Sequence, residues 1–346
     1  MSKAKSMFLN FNQYFTYIVL FIFCIGGRGA GKTYGFKVRA IKNYLKGGKQ
    51  FIYMRRYPTD FKPKDGEKSI TKFFDDIIEN NEFPNHTFEV KAGKFYMDKE
   101  VIGYYIALSS QTHYRSTPFP KVTMICYDEF ILRVDKGNRY LTNEVKDFLE
   151  FYESIARPGI RKDTVRCFFI ANNISESNPF FTFFDIRPNT NKEFTKYKGM
   201  LVHYVKDLEI FEQKNNSEFY QMLNNTKNGR IYSAYTNENK SMLDNDDFVM
   251  TKSKYSTCIF SVFYKDNPYG IWVSYKEGKI WVSDDIDPNC RLTYTLTLED
   301  FKPNTLLIKG SKVNLKFLAD NFKNGNVYYE NRFLKIIGNE FIKLLL

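Results

Sequence analysis

The 346-residue chain is poor in cysteine, with Cys24, Cys126, Cys167, Cys258 and Cys290 scattered and no C-x-x-C pair among them. That scatter excludes a disulfide framework and a zinc ribbon. Most of the five sit in apolar stretches, where a reduced Cys acts as a small apolar residue, and a reducing cytosol fits. Long hydrophobic runs are also missing. Lys3 and Lys5 followed by an apolar stretch to Ile25 imitate a signal peptide. That stretch is too short to span a bilayer, however, and it leads into a glycine loop instead of a small-residue cleavage site. No membrane partner is expected, and no internal repeat is visible. The third shortage is acidic charge: 39 Asp and Glu face 51 Lys and Arg, a net charge of +12. Such an imbalance favours a polyanionic partner such as nucleic acid.

What is present is more specific. Gly26-Gly27-Arg28-Gly29-Ala30-Gly31-Lys32-Thr33 fits G-x-x-x-x-G-K-[ST]. Before it, Tyr17 to Ile25 reads as a buried parallel strand; after it, Phe36, Ala40, Ile41 and Leu45 recur at helical spacing. Strand, glycine loop and helix form the context in which this pattern marks a phosphate site. Backbone N–H groups of the loop and the helix N-terminus would hold the anion. Lys32 would reach the β- and γ-phosphates of ATP, and the Thr33 hydroxyl would take a position on Mg²⁺.

Three further apolar strands are expected at 50–56, 122–127 and 165–171. The second ends in Asp128-Glu129 and the third in Asn172. Asp128 suits the metal side of a phosphate loop, Glu129 can polarise the attacking water, and Asn172 stands where an amide would sense the γ-phosphate. A helix over 143–156 ends at Arg157-Pro158-Gly159, which makes Arg157 the candidate arginine finger, with Arg28 and Arg115 as alternatives. Short alternations between 87 and 108 read as an antiparallel insertion. Strands alternating with helices give an α/β fold, a doubly wound and mostly parallel sheet. We place a P-loop ATPase domain with an added catalytic glutamate at 1–205 and a small helical linker at 206–247. A second, α+β domain follows at 248–346, with antiparallel strands and terminal helices.

The ordered set of Gly26–Thr33, Tyr53-Met54-Arg55-Arg56-Tyr57, Ile125-Cys126-Tyr127-Asp128-Glu129-Phe130, Asn143-Glu144-Val145, Val165-Arg166-Cys167, Asn178-Pro179-Phe180-Phe181 and Gly270-Ile271-Trp272-Val273 resembles the DNA-packaging ATPases of small tailed bacteriophages of the phi-29 type. The resemblance runs over nearly the whole chain. It implies a ring-forming motor, usually a pentamer, that pumps double-stranded DNA through a portal into a prohead in the host cytoplasm. In that type a structural prohead RNA joins motor to capsid. It implies a C-terminal domain of RNase H-like fold that has lost nuclease chemistry, and a trans-acting role for Arg157. Pro58 and the longer loop 62–68 depart from the family pattern.

The residues of the C-terminal part agree with lost nuclease chemistry. A two-metal nuclease needs carboxylates converging from strand ends, but the opening strand, 257–264, has none, and Asp284, Asp285 and Asp287 share one turn. Lys252, Lys254, Tyr255, Lys276, Lys309 and Lys312 offer a basic, aromatic surface for phosphate backbones. Competing readings are a terminase-like motor that also cuts DNA, a phosphate-loop kinase, and a non-catalytic nucleotide switch. The Asp128-Glu129 pair and the basic second domain favour the ATPase.

Overall fold

The computed structural model describes residues 6–61, 69–114, 117–132, 139–175, 178–186, 189–190, 192–206, 208–237, 248–307 and 312–345. They fall into two compact units. The first lies within Met1–Ile174 and Pro188–Met242, the second within Ser175–Arg187 and Leu243–Leu346.

Among the described residues, the first unit is built on nine strands: β1 (Phe21–Ile25), β2 (Gln50–Arg55), β3 (Phe88–Lys91), β4 (Lys94–Met97), β5 (Glu100–Ala107), β6 (Val122–Asp128), β7 (Arg166–Ala171), β8 (Phe194–Tyr197) and β9 (Met200–Tyr204). Their order is β3-β4-β5-β2-β6-β7-β1-β9-β8. The six from β5 to β9 run parallel, and β3, β4 and β8 add antiparallel edges. Every residue of β1 is buried, as is nearly all of β6 and β7. Both faces of the sheet are therefore covered, which is why these strands read as continuous apolar runs. Aromatic rings fill the interior: Phe23 stacks on Phe169 with centroids 4.5 Å apart, and Phe11 sits 4.8 Å from Phe168. Cys24, Cys126 and Cys167 lie in this core, and burial raises all three thiols, Cys24 to about 11. All five cysteines are free.

The main helices of this unit are α1 (Lys32–Gly47), α2 (Asp75–Glu79) and α3 (Glu144–Ala156); α4 (Pro179–Phe183) lies in the second unit. Several expectations shift. The first strand starts at Phe21, not Tyr17, because residues 11–16 form a 3₁₀ turn that buries Phe11 and Tyr14 while Ile18 is 92% exposed. β5 belongs to the parallel core beside β2, so only β3 and β4 make the antiparallel insertion. β8 and β9 were not foreseen, yet β9 pairs with the strand that carries the glycine loop.

The segment expected as a separate linker folds as α5 (Glu209–Asn215), α6 (Glu218–Asn224) and α7 (Lys227–Asn237), and it belongs to the first unit. Leu208 and Phe211 complete that unit's core. The last turn of α7 lies so close to the glycine loop that a Cβ on Gly27 would stand 1.9 Å from the Thr236 carbonyl oxygen. A side chain there would have to displace α7, so the second position of the loop admits only glycine.

The second unit holds β10 (Thr257–Tyr264), β11 (Asn267–Ser274), β12 (Lys279–Ser283), β13 (Thr293–Thr295), β14 (Leu306–Leu307) and β15 (Val327–Tyr329), in the order β14-β13-β10-β11-β12-β15. The antiparallel expectation holds for β10–β11 and β11–β12 only; the other pairings are parallel. Lys265 and Asp266 both have positive φ, +51° and +62°, and close the first hairpin as a two-residue turn. Helices α8 (Lys312–Lys323) and α9 (Arg332–Lys343) cover the sheet, with Leu318, Leu334, Ile337 and Phe341 in its core. Among the described residues, no helix is long and apolar enough to cross a membrane.

Candidate nucleotide-binding site

The parallel strands of the first unit end together, and the loops after β1, β6 and β7 enclose one cleft of about 260 Å³. β7 stands between β1 and β6, so Asn172 lies between the glycine loop and the Asp128-Glu129 pair. Gly29 and Gly31 have φ of +81° and +79°, a region in which a Cβ is strained. Gly31 is also the N-cap of α1 and supplies no side-chain cap, which leaves first-turn N–H groups facing the cleft. Arg28, Gly29, Ala30, Gly31, Lys32 and Thr33 all line it, with Asp128, Glu129 and Asn172 opposite.

Lys32 is 8% exposed. Its ammonium donates to the carbonyls of Gly26 and Gly27, both at 2.8 Å, and to Asn172 Oδ1 at 3.2 Å. Burial pulls its pKa down to about 8, against the pull of Cys24 and Asp128 in the other direction. To reach phosphates, Lys32 must exchange these three partners. Asp128 accepts from Tyr53 Oη at 2.6 Å and from Thr33 Oγ1 at 3.3 Å. The Thr33 hydroxyl and Asp128 carboxylate are hard oxygen donors within reach of each other, a pair that fits Mg²⁺.

Glu129 follows the end of β6 with φ +57°, a left-handed conformation that costs a non-glycine residue about 1–3 kcal/mol. Its carboxylate meets Arg55 Nη2 at 2.5 Å. Burial raises the Glu129 carboxyl above its ordinary value and Arg55 draws it back, although more than half of the side chain reaches solvent. Arg56, the residue just after β2, takes a different carboxylate. It makes two 2.7 Å bonds to Glu144 at the start of α3 and donates to the Phe130 carbonyl at 3.0 Å. Tyr53, Arg55, Arg56 and Glu144 had no role assigned from the sequence. The signal was there in two cations at the C-terminal end of a core strand, the edge at which the carboxylates gather.

Arg157 is not among the residues that line the cleft. It is the exposed C-cap of α3 with φ +41°, and its Nε donates to the Ser154 carbonyl at 3.3 Å. Arg28 does line the cleft; its carbonyl accepts from Lys214 of α5 at 2.8 Å. Arg115 lies outside the described residues.

A model of the Podovirus DNA encapsidation protein (Gp16) family matches residues 3–345. The chain belongs to this family. The DNA packaging protein of Bacillus phage phi29 is 33% identical over 341 residues, 98% of each chain. That of Bacillus phage B103 is 33% identical over 323 residues, 93% of this chain and 96% of the relative. Among solved structures, the bacteriophage Phi-29 viral genome packaging motor assembly matches with a TM-score of 0.78 at 31% identity, covering 99% of this chain and all of that one. The N-terminal domain of the DNA packaging ATPase from bacteriophage phi29 matches 59% of this chain and 99% of its own length, at 36% identity and a TM-score of 0.52.

Proposed function

We propose that this member of the encapsidation family hydrolyses ATP to drive double-stranded DNA into a prohead, as one subunit of a homo-oligomeric ring docked at the portal in the host cytoplasm. The observation that carries the reading is the convergence of Lys32, Thr33, Asp128, Glu129 and Asn172 on one cleft at the ends of β1, β6 and β7. The phosphates of ATP seat on the loop N–H groups and the α1 N-terminus. Lys32 leaves the Gly26 and Gly27 carbonyls for the β- and γ-phosphates. Thr33 and Asp128 would hold Mg²⁺, which would neutralise phosphate charge when bound. Glu129, released from Arg55, takes a proton from the water whose oxygen attacks the γ-phosphorus; the bond to the ADP oxygen breaks and ADP leaves with the electron pair. Asn172, already bonded to Lys32, reports the γ-phosphate without adding charge. Arg157, exposed at the end of its helix, completes the cleft of a neighbouring copy. Following the family resemblance, the ring is a pentamer and a structural prohead RNA is a further partner.

The second unit we read as an RNase H-like domain that holds nucleic acid without cutting it. β10 carries no carboxylate, and Asp285 is paired with Lys252 at 2.6 Å. The Lys252 ammonium also lies 3.6 Å from the Trp272 ring, and Lys276 lies 4.7 Å from Tyr255. Lys309 and the side chain of Lys312 fall outside the described residues.

Phosphate release measured with and without double-stranded DNA, beside a plasmid-cleavage assay, tests the reading. DNA should stimulate hydrolysis, bind with strong salt dependence and little sequence preference, and remain intact. Plasmid cleavage would favour a nuclease-bearing motor. Phosphoryl transfer to a small acceptor, indifferent to DNA, would favour a kinase.

A further inference from the structure

The second unit holds a hollow of its own, of about 260 Å³. Phe248, Phe322 and Tyr329 give it aromatic walls, and Lys335 and Asn339, one turn apart on α9, add an ammonium and an amide. None of the five belongs to the basic, aromatic surface around Lys252 and Trp272. Taking the second unit as the part that holds nucleic acid, we propose that this hollow seats one unpaired nucleobase of a strand, guanine in preference to adenine, stacked on Phe248.

Three observations carry it. The first is size and lining. Pockets for drug-sized ligands run to about 300–1,000 Å³, so this one has room for a single ring system, and aromatic walls accept the flat face of any base. The second is the way Phe248 is held. Its φ is +62°, a region that bulky side chains rarely adopt. Its carbonyl accepts from Tyr329 N–H at 2.9 Å, and Met250 N–H donates to the Tyr329 carbonyl at 2.8 Å, so β15 clamps the backbone on both sides of Val249. The ring leans on Tyr328, with centroids 5.9 Å apart, and lies beside Gly325, where a Cβ would stand 3.7 Å from Phe248 Cε1. It is nevertheless 46% exposed. An aromatic ring clamped in place and left open to solvent is a ready stacking platform.

The third observation is the polar edge. Asn339 Oδ1 accepts from Tyr329 Oη at 2.5 Å, which fixes the amide and leaves its NH₂ group as a donor. The Tyr329 ring reaches this position across Gly338, where a Cβ would stand 2.5 Å from its Cε1. The Lys335 ammonium is also a donor only. Guanine presents two acceptors, O6 and N7, on one edge, whereas adenine would set its N6 amino group among the donors. In a duplex each base is stacked on both faces, so only a splayed nucleotide can enter.

The test uses the full chain, with excess ADP filling the phosphate cleft, and three strands of one length. Each is an abasic phosphate backbone carrying a single guanine, a single adenine or no base. The parent should bind the guanine strand about tenfold more tightly than the abasic one, the size of one stacked base, with adenine between them. Phe248→Ala should bring all three to the abasic affinity, and Phe248→Tyr should restore the order. Asn339→Asp keeps an acceptor for Tyr329 and removes the donor, so it should abolish the preference for guanine over adenine without changing thermal unfolding. Equal affinity of the parent for the three strands would overturn the proposal and leave the nucleic-acid reading of the unit standing. Loss of abasic binding in Phe248→Ala would also overturn it, because Phe248 would then be a support of the unit. So would displacement of the guanine strand by tryptophan amide but not by guanosine monophosphate, the mark of a seat for a protein side chain. A parent that binds none of the strands would overturn both readings.

Discussion

Arg55 ends β2 and Arg56 follows it, each facing a glutamate, and the two pairs differ in almost every physical respect. The chain leaves the strand at Arg56, and the two guanidiniums take different carboxylates, Glu129 and Glu144. Arg56 and Glu144 have side chains 3% and 0% exposed. Glu144 also accepts from Tyr127 Oη at 2.7 Å and Leu141 N–H at 3.0 Å, so the buried charges are fully hydrogen-bonded. Arg55 holds Glu129 through a single close contact, and the Glu129 side chain is 57% exposed. One arginine fixes the frame, joining β2, the turn after β6 and the start of α3. The other makes a contact that water, nucleotide or DNA can replace. The proposed hydrolysis needs both: a rigid seat for the carboxylate and a partner it can leave.

The largest expected effect is on chemistry. Glu129→Gln keeps the shape but cannot accept a proton, so steady-state phosphate release should fall by about 10²–10⁴-fold while ATP binding persists. Turnover near the parent rate would remove Glu129 from its role. Next is the contrast between the arginines. Arg56→Ala strands Glu144 in the interior and should cost about 3–5 kcal/mol in denaturant unfolding of the first unit. Arg55→Ala breaks a half-exposed pair and should cost less than about 1 kcal/mol, with a smaller ratio of DNA-stimulated to basal hydrolysis. Equal losses of stability would erase the distinction.

The smallest effect concerns Lys32. Its pKa in the free protein, about 8, lies below the ordinary 10.5, and a bound polyanion raises it again. ATP affinity should therefore fall as pH rises through 8, by at most about tenfold per pH unit, with proton uptake on binding. For folding, the sign is the reverse. The unfolded chain binds more protons between 8 and 10.5, so the cost of burying this charge is fully present below pH 8 and is relieved as pH rises to 10.5. An affinity flat between pH 7 and 9 would contradict the buried, depressed ammonium.

Much of the cleft was legible because its chemistry is local. Gly26 to Thr33 needs positive φ and a free helix N-terminus at fixed spacing, and Asp128, Glu129 and Asn172 each follow an apolar run. What escaped was long-range. β5 looks like its antiparallel neighbours in sequence, and only pairing with β2 puts it in the core. β9, Met200–Tyr204, is too short to stand out until it lies against β1. A helical linker was expected over 206–247, but nothing local shows that the Thr236 carbonyl of α7 lies against Gly27. Arg55 and Arg56 were visible as a strand end, but their opposite partners come from elements more than 70 residues away.

The most direct measurement mixes two inactive variants. If the Arg157 guanidinium completes a neighbour's cleft, Arg157→Ala subunits still bind ATP through Lys32 and Thr33 but hydrolyse it poorly, and Glu129→Gln subunits are inactive for a different reason. In a mixed ring, some interfaces pair an intact Glu129 with an intact Arg157. Phosphate release should then reappear in the mixture although neither variant alone turns over. No recovery in rings verified to contain both variants would contradict a shared site, and would leave Arg28, which already lines its own cleft, as the arginine to test.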